Sequence, residues 1–267
     1  MEPIKYGAQS QDGPSGLIWN DCPWSSIKSG REPGFAFEDD FESLNASTTA
    51  KAARWLIVQE ASGATFAMID TILGGVVQID GGATDNDQIL MGLSNAGGAF
   101  KVVRDSGAKM WFEARIATDI ITASSMMIGL INAVDVAMDL MADTQTDAAI
   151  LDTSEPDFLG FIESGDSTAA GLDAIYMDQA TTNAHIIHKA DAQTLVAATY
   201  YKLGMYFDGG TIFRFFVDNV QQGDDLDPNS AEFPDGEELT IVFAAKNAAG
   251  TAKKLSIDWV RAAQLRV

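Results

Sequence analysis

Asp208 and Asp218 lie within the aromatic run YYKLGMYFDGGTIFRFFVDNV (residues 200–220), and acids beside aromatic rings are what a sugar site or a metal site would use. Two further acidic stretches, DGGATDNDQ (80–88) and GDDLDPNS (223–230), hold Asp80, Asp85 and Asp87 and then Asp224, Asp225 and Asp227. Ca2+ takes roughly six to eight oxygen ligands, which closely spaced Asp and Asn side chains plus backbone carbonyls can supply. Neither stretch keeps the EF-hand spacing, and Asp and Asn are also preferred turn formers. His185 and His188 in AHIIHK would face opposite sides of a strand and so cannot chelate one metal together. The sequence has no serine triad, phosphate-cradling glycine loop or cysteine cluster. No cofactor is required by these residues; Ca2+ is the cation the two acidic loops could take.

The aromatic run itself reads as two antiparallel strands. Asp-Gly is a strong hairpin signal, so DGG at 208–210 is expected to form a tight connection, and Asp218-Asn219 to begin the next turn. Tyr200, Lys202, Gly204 and Tyr206 alternate with Tyr201, Leu203, Met205 and Phe207, while Phe213, Phe215 and Val217 share one face. The two aspartates are then turn formers, and a ligand would meet the aromatic face between the turns.

These strands need a framework. With 267 residues, of which 46% are hydrophobic, the chain can bury a large core in a single domain. The 38 acidic residues against 17 basic ones leave a net charge of -21, which argues against nucleic acid and anionic membrane as main partners. Cys22 is the only cysteine, so no intrachain disulfide can form. The start, MEPIKYGAQSQDGPSG, lacks the basic and apolar regions of a signal peptide. The most apolar window, residues 125–142, is broken by Asp135 and Asp139 and makes a poor membrane span.

Residues 1–34 are rich in Gly, Pro and Ser with no sustained period, and form an expected extended arm that either folds back on its own domain or lies across a neighbouring subunit. Trp19, Trp24 and Phe35 are its candidate partner-binding residues. Residues 35–267 contain about a dozen short β-like runs separated by Gly, Asp and Asn, the pattern of an all-β sandwich or barrel. In KMWFEARI, Met110, Phe112, Ala114 and Ile116 point to one face and Trp111, Glu113 and Arg115 to the other, where the two charges could pair with each other or with adjacent strands. Residues 134–152 fit a helix or a strand followed by a loop equally well.

Two stretches resemble landmarks of the concanavalin A-like lectin/glucanase superfamily: WFEARI at 111–116 and LSIDWVRAAQLR at 255–266. FAFEDDFES at 35–43 is similar to the opening strand of phage-encoded members. The resemblance implies a jelly-roll sandwich of two antiparallel sheets whose concave face binds or cleaves glycan. It also implies that a laminarinase-type enzyme would carry an E-x-D-x-x-E run, in keeping with the two carboxylates about 5 Å apart that retaining glycosidases need. Here Glu155 and Asp157 match the first two acids, Gly160 stands where the acid/base should be, and Glu163 is the nearby substitute. No catalytic set is complete.

The resulting expectation is an all-β, concanavalin A-like jelly-roll sandwich preceded by an extended N-terminal arm. It is expected to be a non-enzymatic phage structural protein made in the host cytoplasm: a capsid decoration or cement component that touches capsid subunits or other virion proteins and can self-associate. The alternatives are a lectin-like module for surface glycan and a glycan hydrolase.

Overall fold

The computed structural model describes residues 13–48, 53–60, 63–69, 75–93, 98–121, 124–132, 140–141, 157–163, 171–180, 185–247 and 252–266. Two short helices, α1 (Gly16–Trp19) and α2 (Trp24–Lys28), precede the strands. The first half contributes β1 (Gly34–Asp39), β2 (Ala46–Ser47), β3 (Trp55–Gln59), β4 (Thr65–Ile69), β5 (Val76–Asp80), β6 (Gln88–Leu93), β7 (Phe100–Lys101), β8 (Met110–Thr118) and β9 (Ser124–Ile131). The second half adds β10 (Phe158–Glu163), β11 (Gly171–Met177), β12 (Ile186–Thr194), β13 (Tyr201–Phe207), β14 (Phe213–Val217), β15 (Val220–Leu226), β16 (Glu238–Asn247) and β17 (Lys254–Leu265).

The strands form two sheets. The first runs β15-β14-β13-β8-β17-β5-β4, with β1 also on β17; the second runs β12-β11-β10-β9-β16-β6-β3-β2, with β7 on β16. Pairing is antiparallel apart from the short parallel contact of β2 with β3. This is an all-β sandwich, as the strand pattern indicated, with the jelly-roll architecture that the resemblance implied.

Strand alternation decides which side chains fill the space between the sheets. Met110, Phe112, Ala114 and Ile116 of β8 point inward with Leu203, Met205 and Phe207 of β13 and Phe213, Phe215 and Val217 of β14. They meet Met126, Ile128 and Leu130 of β9, and Leu159 and Phe161 of β10. Phe161 and Phe215 close the gap edge to face at 5.5 Å.

The opening-strand run has a structural use. Phe37 and Phe41 pack against the fully buried Trp55, and Asp39 accepts the Trp55 indole N–H at 2.8 Å and the Phe41 amide at 3.0 Å. A buried indole needs such an acceptor.

The two most specific sequence landmarks are neighbours, since β8 pairs with β17. The pairing register slips between Ile257 and Trp259, and Asp258 there binds Arg115. The guanidinium also lies 4.2 Å over the Tyr200 ring. Beyond the slip, β17 exchanges β5 for β1 along the same edge.

The aromatic hairpin differs from the expectation in its turns. Asp208-Gly209 does not close a two-residue turn: the register leaves Asp208–Ile212 as the connection, and the Asp208 carboxylate binds the amides of Gly210 and Ile212. Asp218-Asn219 is the tight turn, with φ of 47° and 65° between the paired Val217 and Val220. Two successive positive φ values match the right-handed twist of the strands, which Asp and Asn tolerate.

Candidate functional site

β10 is the strand on which a glucanase-like acid run would fall, and its geometry excludes one. Asp157 sits 5% exposed just before it, with Oδ1 accepting the Gln179 amide and Oδ2 the Asn132 side-chain amide. It ties the ends of three strands together. Burial, and secondarily the charge of Asp178, pushes its carboxyl above the usual range. Phe158, Gly160 and Ile162 face outward from the sheet. A Cβ at Gly160 would lie 2.7 Å from Gly129 Cα and 2.9 Å from the Phe158 ring, so the third acid is sterically excluded there. Glu163 alternates with Phe161 and Leu159 and points into the sandwich, wholly buried against Lys253. The expectation that it could replace the missing acid is therefore corrected: it is on the wrong face. Glu155 lies outside the described residues.

The outer face of this second sheet is apolar and covered. Leu56, Leu90, Met127, Phe158, Ile162 and Val242 are at most 1% exposed and cluster with Leu140 and Met141. The Gln88 side-chain oxygen accepts the amides of both Leu140 and Met141, and Lys246 Nζ donates to the Met141 carbonyl.

The acidic loops do not converge. Asp80 caps its own turn through the Gly82 amide at 2.9 Å, Asp85 is exposed and Asp87 is buried. In the second loop Asp225 forms a two-pronged pair with Arg214 at 2.6 and 2.9 Å, which holds its carboxyl below the ordinary range. Asp227 caps the Asn229 amide and pairs with Arg104, while the Asp224 carbonyl contacts His188. Among the described residues, no three acidic, His or Cys side chains are grouped to hold a metal. The aromatic face of β14 is core, so it offers no surface to a ligand.

The most developed polar site lies on the outer face of the first sheet, under residues 13–33. α1 and α2 are four and five residues long, too short to persist alone, and the sheet holds them. Ile18 and Ile27 are buried against Trp111, Phe216 and Ala263. Glu113, fully buried, accepts the Ser15 amide at 2.9 Å and the Trp19 indole N–H at 2.8 Å. Its burial raises the carboxyl above the ordinary range, against these two donors and the charge of Lys202. Asp21 receives Lys109 at 2.7 Å, the Trp111 indole at 2.9 Å and the Tyr206 hydroxyl at 3.0 Å. Burial opposes its ionisation, but those donors win and hold it low. Trp19 and Trp24 stack edge to face at 5.5 Å, and the Arg261 guanidinium lies 4.5 Å from Trp24 and pairs with Glu38.

The candidate partner-binding residues of the arm have contacts within the chain itself. Trp19 and Trp24 spend much of their surface on the chain's own sheet, and Phe35 belongs to β1 with its ring 5.5 Å from Phe100. The arm is neither extended nor free over residues 13–33. Sequence reading also missed the roles of Glu113, Asp21, Asn247 and Lys253. Only the outward position of Glu113 on an alternating strand gave any signal, because the partners lie 94 and 98 residues away.

Two shallow depressions lie on the surface of the described residues. One of about 410 Å3 is lined by Phe35, Phe100, Lys101, Glu238, Gln264 and Arg266 among others, and Glu238 is its single carboxylate. The other, about 180 Å3, borders Pro14, Asp40, Trp259 and Glu38, whose carboxylate is already held by Arg261 and Lys28. Neither has two carboxylates available for glycoside chemistry.

No family model matches the chain, and no curated protein is similar to it in sequence. Solved structures do share the fold. A protein of unknown function from Shewanella oneidensis MR-1 superposes with a TM-score of 0.55 at 14% identity, covering 91% of this chain and 94% of its own. The endo-β-1,4-glucuronan lyase of Trichoderma reesei gives 0.54 at 8% identity, with coverage of 85% and 94%. A GH16 enzyme from the mixed-linkage glucan locus of Bacteroides ovatus gives 0.52 at 14%, with coverage of 85% and 99%. The chain is thus an all-β sandwich whose structural neighbours are concanavalin A-like jelly-roll proteins.

Proposed function

We propose that the protein is a non-catalytic structural jelly roll, a component of a phage particle that decorates or cements its capsid. The observation that carries the non-catalytic part is the build of β10: Phe158, Gly160 and Ile162 occupy the outward positions, and Glu163 points into the core. The particle part rests on the similarity of residues 35–43 to the opening strand of phage-encoded proteins. Trp19 and Trp24 are half-buried on the chain's own sheet, which leaves their outer edges for contacts to neighbouring subunits. Such a role needs a rigid block more than a cleft, and a sheet covered on its outer face suits that.

Mass spectrometry of gradient-purified particles tests the reading. The protein is expected at a fixed copy number per particle, and its absence from intact particles overturns the proposal. The carbohydrate alternative draws on the fold shared with the lyase and the GH16 enzyme. A glycan array and a reducing-sugar assay on β-glucans separate it: the structural reading expects neither saturable binding nor product.

A further inference from the structure

Lys253 and Glu163 touch through Nζ and Oε2 in the sandwich interior, and both side chains are completely buried. Ion pairs in such places add little stability over apolar residues of the same size, because desolvating both charges offsets their attraction. This pair is also incompletely satisfied: Glu163 Oε1 is buried and has no hydrogen-bond partner. The strand neighbours of Glu163 are Met126 and Leu172, both fully buried, so the surroundings are apolar as well. Lys253 is held from the other side, its backbone amide bound to the buried Asn247 side-chain oxygen at 2.6 Å.

We propose that Lys253 and Glu163 become joined by an intramolecular amide bond, which links β10 of the second sheet to the residue preceding β17 of the first. Attack needs a free amine, so the step begins with transfer of one ammonium proton onto the carboxylate, leaving an amine and a neutral acid. Burial of Glu163, which raises its carboxyl above the ordinary range against the pull of Lys253, favours that neutral form. The Nζ lone pair then attacks Cδ of Glu163, the bond from Cδ to one carboxyl oxygen breaks, and a second nitrogen proton leaves with that oxygen. One C–N bond forms and one water departs. Nothing is oxidised or reduced, and no co-reactant is needed. Fixing the amine against the carboxyl group supplies the proximity that such a condensation requires. A chain whose only cysteine is Cys22 gains in this way a covalent tie between its sheets that no disulfide can provide.

Intact mass spectrometry of the purified, denatured protein, followed by peptide mapping, decides it. The expected result is a mass lower than the sequence mass by one water, with one branched peptide containing both residue 163 and residue 253. Lys253→Arg keeps a cation against Glu163 but removes the nucleophilic amine, so its expected mass is the full sequence mass. Wild-type protein at full mass, with the two residues on separate peptides, overturns the proposal. Loss of one ammonia with a link from Lys253 to Asn247 also overturns it, since Glu163 would not then be the acyl donor.

Discussion

The Cδ1 methyl of Ile18 rests directly on Gly204 and fills the space in which a Cβ at that position would sit. The arm is thus fitted to β13 as a knob is to a hole. Ile18→Ala is expected to cost about 2–5 kcal/mol if the site cannot collapse, and Gly204→Ala about 1–3 kcal/mol by pushing α1 off the sheet. Because each change acts through the same contact, the double variant should be less unstable than the sum, with a coupling of about 0.5–3 kcal/mol. Urea unfolding measures all three; strict additivity would show that the arm does not sit there.

Glu113 gives the arm a pH dependence whose sign follows from its raised carboxyl. A carboxyl with a folded pKa above its unfolded one stabilises the fold at low pH, and that contribution fades as pH rises through the folded value. Above the ordinary 4.5, ionised Glu113 is therefore a growing cost. Gln at this position can still accept from Ser15 and Trp19 without a charge. The stability of Glu113→Gln relative to the parent should rise with pH from about 4.5 upward, as followed by thermal unfolding across pH. Asp21 and Glu38 act in the opposite sense, since their lowered carboxyls lose their contribution as pH falls. A difference between parent and variant that is flat with pH would contradict the buried-carboxylate account.

Asn247 bridges two buried backbone groups, donating to the Gly82 carbonyl and accepting the Lys253 amide. Asn247→Ala leaves both unpaired, at about 1–3 kcal/mol for each. A loss of roughly 2–6 kcal/mol in denaturant unfolding is expected, large for a single polar residue.

The framework was legible because a strand period of two needs only local sequence. KMWFEARI sorted its core and outer residues correctly, and the same counting from Phe161 would have placed Glu163 in the core. What could not be read was anything set by distant partners. Nothing near Glu113 announces Ser15 or Trp19, and no period in residues 1–34 shows that residues 13–33 fold onto the first sheet. The turns illustrate a different failure. Asp-Gly at 208 carries the stronger local signal, yet strand register makes Asp218-Asn219 the tight turn, and the Asp208 carboxylate instead organises a longer connection. Local preference proposes a turn, and pairing on both sides decides it.

Calcium is expected to have no saturable effect on stability. The second loop has committed Asp225 to Arg214 and Asp227 to Arg104, so a cation would have to displace two guanidinium groups. Binding to the folded state alone would raise stability by about 2.7 kcal/mol at a hundredfold excess over Kd. Thermal melts with added Ca2+ and with chelator should superpose, and a chelator-sensitive increase in Tm would restore one of the acidic loops as a site.

Cys22 offers a native reporter of the arm. Burial first, and the charge of Asp21 second, push its thiol up to about 12, from an ordinary 9.0. Only the thiolate alkylates, so at mildly alkaline pH the seated arm should slow labelling by roughly a thousandfold. Ile18→Ala should speed it, because every excursion of α1 from β13 returns Cys22 to solvent. Labelling by iodoacetamide under native conditions, compared with labelling in denaturant, gives the protection directly. If the parent protein reacts as fast folded as unfolded, residues 13–33 do not spend their time on the first sheet, and the contacts of Ile18, Trp19 and Asp21 cannot be what stabilises that face.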